Sequence, residues 1–407
     1  MTSPLQLYKK AYTGLSRNSW YLCLVMLINR SGTMVIPFMT IYCIHQLHFT
    51  IVQAGYIMAL FGLGSICGAF IGGKLTDKFG FYDLQIFALL SGGILFLILG
   101  YQHTFLTVGA GAFVLSFCNE SFRPANSSAI AYYSTDENKT RSYSLNRLAV
   151  NLGWSVGAAL GGFLAAYSYH SLFWVDGCTN ILAAIMLLKL IPRSHIVKVG
   201  KNKAEVTETS SAYKDTVYLV FIGLSILFAS CFFQLFTMQP VFYKTQWLLN
   251  ERTIGSLMSL NGLLIVFIEM VLIHKLEGRR HPLNYISTGV ILVGIGFVLL
   301  NEMPHNIVSG IVAMLFITFG EMFAMPFMNS FWITRTNNSN RGEYAGLYTM
   351  AWSTAQVLAP TVGAQLINFG GFSLLWWILG GICLVSAIGF WILYRSIVSS
   401  SQYQVSR

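Results

Sequence analysis

The chain has 407 residues, 55% of them hydrophobic and only 10% charged, with a net charge of +10 at pH 7. Charged residues make up near a quarter of a soluble globular domain, so water is excluded as the main solvent, and so apolar a chain is not disordered either. A dozen membrane-spanning helices of roughly 20 residues would use about 240 residues and leave short loops, which suits this length.

In chain order, Met1–Ser19 is polar and carries Lys9, Lys10 and Arg17. The apolar run behind it is too long for a signal-peptide core, so span 1 is expected to act as its own targeting signal. Apolar runs between polar breaks predict twelve spans, at 19–44, 51–73, 83–101, 105–132, 143–168, 172–191, 216–241, 253–274, 284–301, 306–333, 343–368 and 372–395. About twenty of the 25 Lys and Arg residues fall in the N-terminus, in loops after even-numbered spans or at the cytoplasmic ends of those spans, as Lys189 and Arg395 do, or in the C-terminus. The opposite loops hold only Lys244 and Arg252, so the positive-inside rule places both termini in the cytoplasm, in the inner membrane. The positive balance is therefore a topology signal and not a nucleic-acid footprint. All seven cysteines lie in apolar runs without CxxC spacing and read as small core residues.

The longest polar stretch, Pro192 to Asp215, divides the chain into an N-terminal six-helix bundle (1–191), a cytoplasmic linker (192–215) and a C-terminal six-helix bundle (216–407). Landmarks recur between the halves at nearly one offset. Pro37 and Thr50 match Pro240 and Thr253 at 203, Glu120 matches Glu321 at 201, Arg141 matches Arg341 at 200, and Trp174 matches Trp376 at 202. Duplicated halves with a site between them are a common transporter plan.

The loop after span 2 reads Gly73-Lys74-Leu75-Thr76-Asp77-Lys78-Phe79-Gly80, and span 5 contains Gly153, Gly157, Ala158, Gly161 and Gly162. The first resembles the G-x-L-a-D-R/K-x-G signature of the major facilitator superfamily. The second is similar to the G-x-x-x-G-P-x-x-G-G motif of its twelve-span drug:proton antiporter branch, with Ala158 in place of the proline. The resemblance implies an all-α membrane protein, twelve transmembrane helices in two pseudo-symmetric six-helix bundles, with spans 1, 4, 7 and 10 lining a central cavity. It also implies gating roles for Gly73, Asp77, Lys78 and Gly80, and for Gly153, Gly157 and Gly161. Small residues four apart leave a groove for a neighbouring backbone. A carboxylate at Asp77 suits a helix N-terminus of the other half.

Ionisable residues inside apolar spans cost roughly 2.5 to 3.5 kcal/mol each at mid-depth, so they need partners or a wet cavity. Arg30 lies eleven residues into span 1, about 16 Å at 1.5 Å per residue, near the midplane. Glu120 and Arg123 share one face of span 4. Glu321 repeats Glu120 on span 10 but has Ala324 where the base would stand, which makes it the favoured proton carrier, with Glu120 and Glu269 as the others. On the helices that the resemblance assigns to binding, Arg30, Glu120, Arg123, Gln234, Gln239 and Glu321 are the candidate solute contacts. Asp176, placed at the start of span 6, reads as solvated, as do His45, His48, His103 and His170.

No phosphate-cradling loop with Lys, HExxH or G-x-S-x-G constellation is present, so the chain is not expected to be an enzyme or to need a cofactor or metal. The expected function is secondary active, proton-coupled transport of a small organic solute by alternating access, in the direction of drug efflux. Uptake of peptides or other zwitterionic nutrients is the alternative, and a non-transporting sensor of the same fold is another. The expected partners are the solute, protons and membrane lipids, with no nucleic acid, for a chain that works as a monomer.

Overall fold

The computed structural model describes residues 14–135, 138–193, 211–276, 278–336 and 341–405, and among these the regular structure is entirely helical. Eleven runs are long and apolar enough to cross a membrane: Arg17–His45, Ile51–Thr76, Phe81–Leu99, Phe105–Tyr132, Arg141–Ala165, Tyr169–Leu190, Thr216–Thr245, Glu251–Leu276, Pro282–Glu302, Ile307–Thr334 and Glu343–Ser399. The first ten are spans 1 to 10. The eleventh has 57 residues, which at 1.5 Å each would reach about 85 Å against a hydrocarbon core of about 30 Å. It is interrupted at Gly371, whose φ of 74° suits glycine, and it has the length for spans 11 and 12 on either side of that break.

Helix starts are set by local chemistry. Thr50 opens span 2 with a capping box, its hydroxyl accepting from Gln53 N–H while Gln53 Oε1 accepts from Thr50 N–H. Thr104, Asn250 and Asn306 cap spans 4, 8 and 10 in the same manner. Gly80, the last residue of the loop signature, turns the chain from span 2 into span 3 with φ 88°. A residue with a Cβ is strained there, which gives this signature position a backbone reason.

Packing groups the chain into two compact units, Met1–Val199 with Tyr243–Val266, and Gly200–Phe242 with Phe267–Arg407. Of the linker expected at 192–215, residues 194–210 lie outside the described residues. The segment Tyr243–Val266 belongs with unit 1 because span 8 lies directly on span 5. A Cβ on Gly162 would stand 2.5 Å from the Glu251 carbonyl oxygen, and the Ser155 hydroxyl donates to the Ser259 carbonyl at 2.9 Å. Small residues let the two backbones meet, and paired hydroxyls satisfy each other away from water.

The core of unit 1 gathers Leu22, Val25, Leu89, Phe122, Ile130 and Leu187 from spans 1, 3, 4 and 6. Unit 2 is more aromatic: Trp376 is fully buried, stacked on Phe297 with centroids 5.7 Å apart and edge-on to Phe242 at 5.2 Å. Its repeat partner Trp174 is 48% exposed, so duplicated positions have diverged in role.

At one end of unit 2, Asp215 ties spans 7, 10 and 11 together. It caps span 7 through Tyr218 N–H at 3.0 Å, receives Arg335 Nε at 3.0 Å and Nη2 at 2.8 Å, and accepts from the Tyr344 hydroxyl at 2.9 Å. Burial alone would raise its pKa, but the Arg335 guanidinium, the Tyr218 amide and the Tyr344 hydroxyl outweigh that and hold the carboxyl below its ordinary value. A carboxyl whose folded pKa is depressed contributes stability that is complete above its unfolded pKa, near 4, and is lost as pH falls through the lower folded value. Thermal unfolding in detergent should therefore show Asp215→Asn melting below the wild type at neutral pH. The gap should close as the pH drops into that acid range, and an unchanged gap there would assign the effect to shape alone.

Candidate functional site

Span 1 is not one helix. Its first half, Arg17–Ser31, ends at Gly32, and its second, Val35–His45, begins after a non-helical turn at Thr33 and Met34. Pro37 sits in the first turn of the second half, where its missing N–H costs nothing. Main-chain donors at this break are met from span 6: the Asp176 carboxylate accepts from Met34 N–H at 3.0 Å and from Val35 N–H at 2.8 Å. Asp176 is fully buried, which corrects the expectation of a solvated residue. Span 6 begins at Tyr169 and not at 172, so Asp176 lies about two turns inside it.

Other polar groups close the same joint. Asn29 Nδ2 donates to Asn180 Oδ1 at 2.9 Å, and Asn180 Nδ2 to the Asp176 carbonyl at 2.7 Å. A Cβ on Gly32 would collide with the Thr179 hydroxyl, so glycine is needed for the approach of spans 1 and 6. Span 5 fits the opposite side of the break. A Cβ on Gly153 would stand 2.6 Å from Arg30 Cβ, one on Gly157 3.1 Å from the Ser31 oxygen, and one on Gly161 3.1 Å from Met34 Cβ. The glycine motif thus receives the interrupted stretch of span 1. Gly153→Val should destabilise the protein by about 1 to 3 kcal/mol through overpacking, seen as a melting point several degrees lower. Gly223→Ala, where an added Cβ meets nothing within 4 Å, should not lower it.

Arg30 occupies the last turn before the break, with its Nε buried and without an acceptor. Glu120 and Arg123 from span 4 are the charged groups near enough to act on it. Glu120 Oε2 lies 2.9 Å from Arg123 Nη2, with the Glu120 side chain 12% exposed and that of Arg123 66%. Arg123 therefore keeps a guanidinium face open, while Glu120 and Arg30 are half-buried. Span 4 is itself interrupted between Phe105–Glu120 and Phe122–Tyr132. Pro124 cannot donate to the Glu120 carbonyl, which accounts for the break beside the charged pair. The structure thus brings together three sequence-selected residues from two broken spans, carrying two positive charges and one negative.

The remaining candidates lie in unit 2. Glu321 is half-buried on span 10, between fully buried Met322 and Ala324 on one side and Gly320 on the other, five residues before Pro326. Gln234 is 2% exposed, and its Nε2 donates to the Ala359 carbonyl of span 11 at 2.7 Å. It seats where a Cβ on Gly363 would intrude, so it ties two spans at the break in span 7, which is divided after Phe232 and again at Met238. Gln239 is 1% exposed, just before Pro240. Glu269 is buried at the end of a π-helical segment, Ile265–Glu269, that interrupts span 8. Such wide turns recur at functional sites. Around Trp352 of span 11 stand Phe228, Phe232, Phe233 and Tyr348, with ring centroids 6.0 to 6.4 Å away. Phe228 and Phe232 are buried, and Phe233, Tyr348 and Trp352 leave a partly exposed aromatic surface from spans 7 and 11.

The signature expected as a loop is helical through Phe79, with only Gly80 outside the helix; Gly73 has open space where a Cβ would be, and Lys74 and Lys78 lie over the rings of Phe70 and Phe79 at 4.4 and 5.1 Å. The Asp77 side chain lies outside the described residues. Sequence reasoning missed a further cluster in unit 1: Glu251 Oε1 accepts from the Tyr169 hydroxyl at 2.7 Å and pairs with Lys244 Nζ at 2.7 Å.

Comparison with known proteins accords with this geometry. The profile of the family described as Major Facilitator Superfamily matches residues 22–360. A Na(+), Li(+), K(+)/H(+) antiporter of Planococcus maritimus is 22% identical over 392 residues, 88% of this chain and 91% of that protein. Multidrug resistance protein 2 of Bacillus subtilis (strain 168) is 21% identical over 349 residues, 82% of this chain and 84% of that protein. Among solved structures, a peptide transporter, POT, in complex with sulfate superposes with a TM-score of 0.80 at 14% identity, covering 95% of this chain and 96% of that one. The nucleoside transporter NupG gives 0.73 at 15% identity, over 93% and 99%. With its broken apolar spans, its charged groups held within them and a family match over most of its length, the chain belongs to the Major Facilitator Superfamily and is an integral membrane transporter, not an enzyme.

Proposed function

We propose that this transporter is a proton-driven exporter of aromatic, amphipathic compounds, working as a monomer in the cytoplasmic membrane with both termini inside. Alternating access is the proposed cycle, with 1–191 and 216–407 as its two bundles and 192–215 as the segment that joins them in sequence. The observation that carries this reading is the Arg30, Glu120 and Arg123 cluster, where a half-buried guanidinium and an open one flank a single carboxylate inside apolar spans. Such a cluster binds a solute with charges of its own, and the aromatic surface around Trp352 suits planar rings. Relatives whose names point the same way include the quinolone resistance protein NorA of Staphylococcus aureus (strain N315), 26% identical over 158 residues, 39% of this chain and 40% of that protein. Glu321, Glu120 and Glu269 are the proposed proton carriers. Gly73, Asp77, Lys78 and Gly80, with Gly153, Gly157 and Gly161, are the proposed gating positions.

Proteoliposomes with an acid lumen test the reading, with ethidium as a permanent cation and norfloxacin as a zwitterion. Ethidium does not follow a pH gradient passively, so its accumulation, abolished by collapsing the gradient with nigericin, is the expected result. Movement of neither compound, together with gradient-driven exchange of sodium or of a dipeptide, would overturn the drug-export reading in favour of ion exchange or nutrient transport.

A further inference from the structure

The joint in span 1 contains an acid that the transport reading does not use. Asp176 is fully buried, and its carboxylate spans the first free amides of the second half-helix, Met34 and Val35. Span 6 packs against span 3, span 5 and both halves of span 1. The titratable groups on those elements include Arg30, Tyr42, His45, Asp83 and Arg147, yet the partners that act on Asp176 are the two backbone amides. Among the described residues, its oxygens accept from helix-terminal N–H groups and pair with no side-chain cation, an arrangement that is stronger with the carboxyl ionised than neutral.

We propose that Asp176 is a proton-controlled positioning residue: ionised, it pins the second half of span 1 to span 6 and so sets where Arg30 stands, and protonated, it lets the break open. The proton comes from solvent and adds to one carboxylate oxygen. The neutral acid then offers the two amides one weaker acceptor in place of a charged pair of oxygens. A small apolar pocket lined by Val35, Ile36, Met39, Ile57, Met58 and Leu115 lies beside the second half. Arg30, in the turn before the break and pressed on Gly153 and Gly157, is carried with any change of angle. Proton binding is thereby linked to the solute site through the backbone, without contact between Asp176 and the solute.

The inference rests on the transport reading, but its test uses no solute, so the two fail separately. Spin labels at Leu24 and Gln46, both exposed, report the distance across the break in nanodiscs, in a background with Cys23, Cys67 and Cys178 replaced by Ala. The wild-type distance should shift between neutral and acid pH. Asp176→Asn should show the acid distance at both, and Asp83→Asn, at an exposed acid of span 3, should keep the shift. A wild type that does not respond, or an Asp176→Asn variant that still does, overturns the proposal. If Asp176→Asn fails to fold, infrared difference spectra of the wild type with labelled aspartate decide the matter. A protonated aspartate band that appears on acidification and exchanges slowly in deuterium supports the proposal, and its absence overturns it.

Discussion

Glu321→Gln is expected to reduce pH-gradient-driven ethidium accumulation to the leak of empty liposomes, while exchange of labelled ethidium for unlabelled ethidium across the membrane continues. The split follows from what each process requires: uphill movement needs a group that loads and releases a proton each cycle, whereas exchange needs only a site that alternates. Glu321 suits this role because it is a carboxyl inside an apolar span, flanked by Gly320 and Met322. A carboxyl in such a span is a group that can take up and give back a proton in each cycle. Glu120→Gln should behave differently. With Glu120 Oε2 only 2.9 Å from Arg123 and acting on half-buried Arg30, its neutralisation leaves cations without their counter-charge, so binding and thermal stability should both fall. Retained accumulation by Glu321→Gln would move the assignment to Glu269, at the π-helical turn of span 8.

Arg30→Ala is expected to weaken norfloxacin binding about ten- to a hundredfold, equivalent to about 1.4 to 2.7 kcal/mol, measured by fluorescence titration of the purified protein. Ethidium, which has no carboxylate, should lose much less. Arg30→Lys should restore part of the norfloxacin affinity, because an ammonium keeps the charge but not the planar fork that engages a carboxylate through two bonds. The difference between the two compounds separates a solute contact from a folding defect, since a misfolded site would lose both. Equal losses would remove Arg30 from the solute site and leave it a structural partner of Glu120.

Much of this site could be read from local sequence. The cost of placing charge in lipid picked out Arg30, Glu120 and Arg123 without any knowledge of packing, and the structure puts the three within one another's field. The same rule, applied to Asp176, would have flagged it had span 6 been started at Tyr169 instead of three residues later. Gly32 and Pro37 also mark the interruption of span 1 that Asp176 serves. Gln234 shows the reverse case. Polar and on a cavity-lining span by resemblance, it is committed to the Ala359 carbonyl, a partner 125 residues away that no local pattern reveals.

By itself, the sequence determined the solvent, the spans and their expected orientation, because hydropathy and the distribution of Lys and Arg are sums over neighbouring residues. It also carried the family, through short motifs whose glycines answer to local geometry, as at Gly80 with its positive φ. Only the tertiary structure decided that Asp176 is buried on the break of span 1, that span 8 widens at Ile265–Glu269, and that Trp376 is enclosed while Trp174 is not. Each of these depends on which helix lies alongside, and a buried polar group or a wide turn is tolerated only where that neighbour supplies the missing hydrogen bonds and shape.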